Sequence, residues 1–530
     1  MAGNGHFQLM PEMMPEMMPE IILIASLPWT YFHRSLGVYQ LATRLRADSF
    51  NVQVIDCATH WKHEEWRALI QRFVSSSTLA VGISSTFYGR GEFYGPELSL
   101  PLPVKSETLF QLMQWTSEIN PQVEWVVGGA NAQMAQSALH GVFDRVFVGY
   151  SDQQFVDYAR ELKGKGRTGV SRRVYDYDPR GEGFDFQNSE NHFHESDRIL
   201  PREASMTELS RGCIFRCKFC DFPLNGKMKN DFIKDASRLR DELTRNYENY
   251  GITKYYLSDD THNDSMEKLD RLHTVVRDLP FRFQYATYLR LDLLHRQPEA
   301  PAQLVDMGLV GAFFGIESFH KKAAHMVGKG ALQPQQVKDF LCHLKRNIWR
   351  ERVKVTLSFI VGLPHEPRSS IEETTRWLTE NQDVYDETQF YPLCVPKRGL
   401  TTGIQSSEMA SKPEKFGLLY SNANNPWHWT TTFPDTLKDF EEARLLTQEV
   451  NLALEPHQGI GAFTLIPLSS LDPSLRRNTG KSWEEIMALP KADFIEFRRQ
   501  NWIDVSGELQ QQIREYFTAL MQHETKGARF

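Results

Sequence analysis

From Ile21 onward the chain alternates short apolar runs with longer amphipathic stretches, and it does so in two series. The first series places apolar runs at 21–26, 52–56, 79–84, 123–129 and 145–149, with helical spacing near 37–47, 63–74, 106–118 and 152–162. Parallel strands need long crossovers, so this alternation predicts βαβ units and a doubly wound parallel sheet. Such sheets take ligands at the carboxyl ends of their strands, here "SSTFYGRG" at 84–91 and "GGAN" at 128–131. The second series begins at "SMTELSRG" (205–212) and continues with apolar runs at 254–260, 282–289, 311–318, 353–364 and 387–396. Helical spacing falls near 232–249, 264–278, 299–307, 334–348 and 370–380. Consecutive βα units of this kind predict a curved, mostly parallel partial barrel, (β/α)6, with its chemistry at the strand carboxyl ends.

A chain of 530 residues exceeds one core, and its composition shifts suggest where it divides. Residues 1–20 carry the tandem repeat "MPEMMPEMMPE", whose prolines prevent a continuous helix, and read as a disordered tail. Residues 21–165 form the first α/β domain, 166–200 a polar linker, 201–400 the partial barrel and 401–530 a helical C-terminal cap. In that cap Trp427, His428 and Trp429 read better as core than as a substrate wall. The longest apolar candidate, "IILIASL", is far shorter than the roughly 18 residues a membrane span needs. The N-terminus lacks the basic-then-apolar pattern of a secretory signal. A cytoplasmic protein, in a host cytoplasm if viral, is the expectation. A net charge of −7 gives no global attraction to nucleic acid.

Three of the six cysteines, Cys213, Cys217 and Cys220, share one loop with C-x3-C-x2-C spacing. Thiolates select zinc, copper(I) or iron–sulfur clusters. Structural zinc takes four closed ligands, usually as two pairs, and no second C-x2-C pair exists. Three cysteines can hold a catalytic zinc, or three irons of a cubane cluster whose fourth iron stays open to a small bidentate molecule.

The loop, with Phe219 beside its last cysteine, resembles the radical S-adenosylmethionine (radical SAM) superfamily over roughly 205–400. The resemblance implies a 4Fe-4S cluster on Cys213, Cys217 and Cys220, and SAM chelated by the open iron. An external donor such as flavodoxin or ferredoxin would supply an electron, SAM would be cleaved, and a 5′-deoxyadenosyl radical would abstract a substrate hydrogen. "SDDTHND" stands where relatives place the glycine-rich segment that meets the SAM ammonium. Asp259 and Asp260 are the candidates, with Asp260 preferred. Arg290 in "YLRLD" and Glu317–Ser318 in "GIES" match positions near SAM. Gly362 in "FIVGLPHE" matches the turn that packs against adenine.

The first domain, through "LPWTYFHRSLGVYQLATRLRADSFNVQVIDC", "WVVGGANAQ" and "DRVFVGYSDQQFVDYAREL", resembles the cobalamin-binding-like domain of one radical SAM subfamily. The usual Asp-x-His-x-x-Gly ligand motif is missing, and His33 stands in "YFHRSLG", so cobalamin binding stays open at this point. Bulky Trp29, Tyr31, Phe32, Phe87 and Tyr88 are expected to fill the crevice and leave the domain a relic. The whole-chain layout more weakly resembles phage radical SAM isomerases of thymine hypermodification, which move a glycyl adduct from an N-link to a C-link. That reading implies a modified DNA or nucleotide partner, with phosphate contacts from Lys227, Lys229, Lys345, Arg346, Arg350 or Arg352. Its alternative is a cobalamin-dependent C-methyltransferase.

Overall fold

A computed structural model describes residues 18–27, 34–85, 102–176, 185–201, 203–222, 224–395, 407–420, 428–468, 481, 485–486, 488–500 and 505–522. The chain separates into two compact units, one of residues 1–28, 37–176 and 520–530, the other of 29–36 and 177–519. Among the described residues no helix is long and apolar enough to cross a membrane.

The first unit is built on six parallel strands: β1 (Ile21–Ile24), β2 (Val52–Ile55), β3 (Ala80–Ser84), β4 (Glu124–Gly129), β5 (Arg145–Val148) and β6 (Val174–Tyr175). Their spatial order is β2-β1-β3-β4-β5-β6, so the winding reverses beside β1. β1, β2 and β5 are buried throughout, as apolar runs covered by helices on both faces must be. The doubly wound sheet is therefore as the alternation implied. β6 lies inside the stretch read as a linker and pairs with β5. Two residues are too few to show an alternation, so only the pairing partner reveals this strand.

The second unit carries β7 (Ser205–Thr207), β8 (Lys254–Leu257), β9 (Gln284–Leu289), β10 (Leu309–Glu317), β11 (Lys354–Val361) and β12 (Glu387–Pro392). These six parallel strands stand in simple succession, the layout of a partial barrel. One face packs on the crossover segments: Phe314 stacks on Trp349, and Phe359 meets Phe319, in the loop after β10, edge-on. The opposite face receives a C-terminal helix, Ala462–Leu468. Its Phe463 stacks on Phe313 and touches Tyr256 and Tyr288, while Ile466 joins Ala204 and Ala286.

The C-terminal segment is mostly helical, with Phe440–Leu454, Lys491–Gln500 and Val505–Met521, but it also contains a hairpin of 418–420 and 429–431. Trp429 is fully buried and donates its indole N–H to the Leu393 carbonyl at 2.7 Å, so it is core. Trp427 lies outside the described residues.

Candidate active site

The cysteine loop leaves β7 and is pinned where it starts. Asp259, at the end of β8, accepts hydrogen bonds from the backbone N–H groups of Leu209 (2.8 Å) and Ser210 (2.9 Å) on one oxygen. Its other oxygen faces His262 at 3.2 Å and the Lys268 ammonium at 3.4 Å. Burial works against this charge, yet Lys268, His262 and the backbone donors hold Asp259 well below the usual carboxylate range. Lys268 is itself fully buried and also bonds Ser210 Oγ and the Thr261 carbonyl. The carboxylate of Asp259 is thus consumed in joining β8 to the loop.

Asp260 behaves differently. The Gly212 N–H donates to its carboxylate, while its Oδ2 is shielded from solvent with no hydrogen-bond partner. Burial, then the adjacent Asp259 charge, push its pKa up to about 7. A shielded, unpartnered carboxylate oxygen is costly alone and fits a cationic group brought by a ligand. Gly212 serves this contact at φ +76°, where a Cβ would also lie 2.4 Å from that of Leu224.

The three thiols are free of disulfides. Cys213 Sγ lies 3.2 Å from Thr261 Oγ1 and receives the Phe215 N–H at 3.4 Å. Cys217 Sγ receives Arg290 Nη1 at 3.4 Å. Burial pushes the Cys213 thiol up and the Cys220 thiol to about 12, so binding a soft cation here must release protons. Among the described residues no three His, Cys, Asp or Glu side chains converge on a single metal ion. A cubane makes a different demand, since each cysteine binds its own iron. Three thiols on one loop, with N–H donors aimed at sulfur, meet that demand.

The remaining expected residues cluster along the carboxyl ends of β9 to β11. Arg290 follows β9 and is 6% exposed; it pairs with Asp292 at 2.9 Å and lies 3.8 Å over the Phe215 ring. Glu317 closes β10 at φ +66°, next to a register shift between β10 and β11, and pairs with Lys329 at 3.2 Å. Ser318 donates to Glu366 Oε1 at 2.5 Å and accepts the His320 N–H. Gly362 has φ +95°, and the close approach it permits is to the Trp429 ring, which a Cβ would meet at 2.9 Å. The adenine contact expected there would therefore have to share the turn with Trp429.

Several residues escaped the sequence reading. Asn263 holds Arg290 by a reciprocal pair, Nδ2 to the Arg290 carbonyl at 2.9 Å and the Arg290 N–H to Oδ1 at 2.8 Å. Thr261 touches Cys213, and Lys329 adds a cation near Asp292. Asn263 and Thr261 lie within the quoted "SDDTHND"; Lys329 sits on no motif and becomes visible only through folding. Of the basic residues read as phosphate contacts, Lys345 is buried against Asp386, Arg346 pairs with Asp383 and Lys229 with Glu267. Lys227 is tied to the Asp231 carbonyl.

The sequence profile of the radical SAM superfamily matches residues 207–378, the stretch that holds the cysteine loop and the ends of β8 to β11. The chain carries a radical SAM domain. Radical SAM proteins use a 4Fe-4S cluster and SAM, and the site supplies the three thiols for the first. The fold is similar to that of a radical S-adenosylmethionine methyltransferase, TsrM, from Kitasatospora setae, solved with cobalamin and a 4Fe-4S cluster bound. That match has 14% identity, spans 91% of this chain and 100% of that one, and has a TM-score of 0.60. It is also similar to OxsB, a cobalamin-dependent S-adenosylmethionine radical enzyme solved with aqua-cobalamin and SAM, at 13% identity. There the match spans 95% of this chain and 79% of that one, with a TM-score of 0.54. No curated protein matches the sequence. None of these likenesses supports thymine isomerisation or a DNA partner.

Proposed function

We propose that the protein is a cobalamin-dependent radical SAM methyltransferase. The carrying observation is the union, in one chain, of a doubly wound sheet and a three-thiol barrel, with a fold similar to that of TsrM over 91% of this chain and 100% of that one. This reverses the preference for an isomerase reached from sequence. The aromatic residues behind that preference, Trp29, Tyr31, Phe32, Phe87 and Tyr88, lie outside the described residues, as does His33. At the carboxyl ends of the two middle strands of the first sheet the described residues are small: Ser84 closes β3 and Ser85 follows it, and Gly128 and Gly129 close β4. Asn131 donates to the Ser85 carbonyl there at 3.2 Å, and a Cβ at Gly128 would meet nothing closer than 3.8 Å. Backbone and small side chains suit the broad, largely apolar face of a corrin.

When bound, the cluster, SAM and cobalamin would supply reducing power, a methyl source and a methyl carrier. The chain's own residues hold and orient them. Cys213, Cys217 and Cys220 would take three irons. Asp260 would receive the SAM ammonium on its unpartnered Oδ2, and Arg290, kept in place by Asn263 and Asp292, would lie beside the cluster loop for the SAM carboxylate. Glu317 and Ser318 would border the same ligand. Asp259 would act only through the loop it anchors.

The test uses anaerobically reconstituted full-length protein with hydroxocobalamin and SAM labelled at the methyl group. Loss of label from SAM that depends on cobalamin is expected. Formation of 5′-deoxyadenosine with the label retained on methionine, indifferent to cobalamin, would return the account to isomerisation.

A further inference from the structure

The face of the barrel sheet that receives Phe463 divides chemically across its width. In register, Tyr288, Phe313, Thr356 and Glu387 form one row across β9 to β12. Gly315, Ser358 and Gln389 form the next row toward the carboxyl ends, and Ile360 and Tyr391 the row after that. Side chains two apart on a strand share a face, so all of these look the same way.

The lower row is plugged. Phe463 stacks on Phe313 at 4.8 Å with ring planes 11° apart and meets Tyr288 at 4.7 Å, and the Ala462 N–H bonds Thr356 Oγ1. Above the plug the two halves differ. On β10 a Cβ at Gly315 would meet Glu317 Oε1 at 2.4 Å and Lys329 Nζ at 3.2 Å, so that half carries charge. On β11 and β12 the side chains above the plug, Ser358, Ile360, Gln389 and Tyr391, bear no charge. Tyr391 donates to Gln389 Oε1 at 2.7 Å, Gln389 Nε2 donates to Glu387 Oε2 at 3.1 Å, and Thr356 donates to the same oxygen at 3.0 Å. Burial pushes Glu387 up. Exposure grows along β12 from half-buried Glu387 and Gln389 to Tyr391 at 38%. Gln389 keeps one amide N–H beyond these bonds, and the Ser358 hydroxyl beside it has no hydrogen-bond partner among the described residues.

We propose that this neutral half is the substrate subsite and that it takes a flat, uncharged, N–H-bearing heteroaromatic ring. The ring would rest on the Phe313–Phe463 shelf, and its edge would be read by Ser358 and Gln389. The proposal rests on the radical SAM reading for its meaning, since it places the ring on the same sheet face that ends at Asp260 and Arg290. Aromatic shelves favour flat partners by offset stacking, and an uncharged hydrogen-bonding wall disfavours an ion that would lose its hydration. Such a ring could come from an amino acid side chain or from a nucleobase.

Saturation-transfer NMR on the reconstituted full chain tests this with indole, thymine, cyclohexanol and benzoate as probes. Binding of indole or thymine is expected, with cyclohexanol and benzoate clearly weaker. Indole alone would point to an amino-acid ring and thymine alone to a base. Gln389→Leu keeps the shape and removes the amide, so ring affinity should fall about tenfold, the equivalent of one good hydrogen bond. Ser358→Ala, which carries little folding risk, should lower it by a smaller factor. Equal binding of cyclohexanol, no ring binding at all, or ring affinity unchanged in both variants would overturn the proposal. SAM cleavage measured on the same samples separates the two readings. Cleavage without ring binding sinks only this subsite, whereas ring binding without cleavage sinks the radical reading.

Discussion

The first sheet runs β2-β1-β3-β4-β5-β6 and reverses its winding once, whereas the second runs from β7 to β12 in order. Both are parallel, both have six strands, and both come from the same βα alternation. A reversal leaves an open sheet with a crevice at the switch point; simple succession curls a sheet so that its strand ends converge on one axis. The residues at the two edges follow that difference. The first edge shows Ser84, Ser85, Gly128 and Gly129 at its middle strands, β3 and β4. The second gathers three thiols, Asp260, Arg290, Glu317 and Ser318. An open edge of small residues can seat a broad ligand, and a converging edge of charged and soft groups can grip a cluster and a zwitterion.

The largest break in this comparison comes from Cys213, Cys217 and Cys220 changed together to Ala. Reconstituted wild type should hold about four iron per chain and the variant essentially none, with SAM cleavage abolished. Corrinoid retention should survive, because the thiols belong to the second sheet alone. Next is Asp259→Ala, which should destabilise the second unit by about 3–5 kcal/mol in denaturant titration, since it leaves buried Lys268 with Asp264 as its one carboxylate and strips the buried Leu209 and Ser210 N–H groups of their acceptor. Asp260→Asn should fold normally and keep its iron while binding SAM roughly tenfold more weakly, the loss of one charge-assisted bond. Asp260 must be ionised to receive an ammonium. With its pKa raised to about 7, wild-type SAM affinity should rise from pH 6 to pH 8, and the Asn variant should lose that slope.

The smallest effect concerns Glu366, 2% exposed, whose carboxyl burial pushes up to about 8. A carboxyl raised in the folded state binds its proton more tightly there than in the unfolded chain. The resulting stability is complete below the usual carboxylate range and fades as pH rises toward 8. Glu366→Gln should flatten thermal stability between pH 5 and pH 8. An unchanged slope would show that Ser318 is held by something else.

Much of this was readable in the residues because both sheets rely on local signals. Apolar runs located ten of the twelve described strands of the two parallel sheets to within a few residues, "SMTELSRG" marked β7, and the C-x3-C-x2-C loop located the site. What stayed hidden depends on contacts distant in sequence. β6 has two residues and exists only beside β5. Phe463 lies far along the chain from the Phe313 on which it stacks, and nothing in "GAFTLIPL" says that it enters the barrel face. The choice between Asp259 and Asp260 needed the backbone N–H groups of Leu209 and Ser210, which take the first and leave Oδ2 of the second without a partner.

The division of labour between the two sheets is tested most directly by counting metals. The protein is expressed with abundant hydroxocobalamin, reconstituted with iron and sulfide without oxygen, gel-filtered, and analysed for cobalt and iron per chain. About one cobalt beside about four iron is expected in wild type, and cobalt without iron in the variant lacking Cys213, Cys217 and Cys220. Four iron with no cobalt in wild type would contradict it, leaving the first sheet a scaffold and the protein a radical SAM enzyme of another kind.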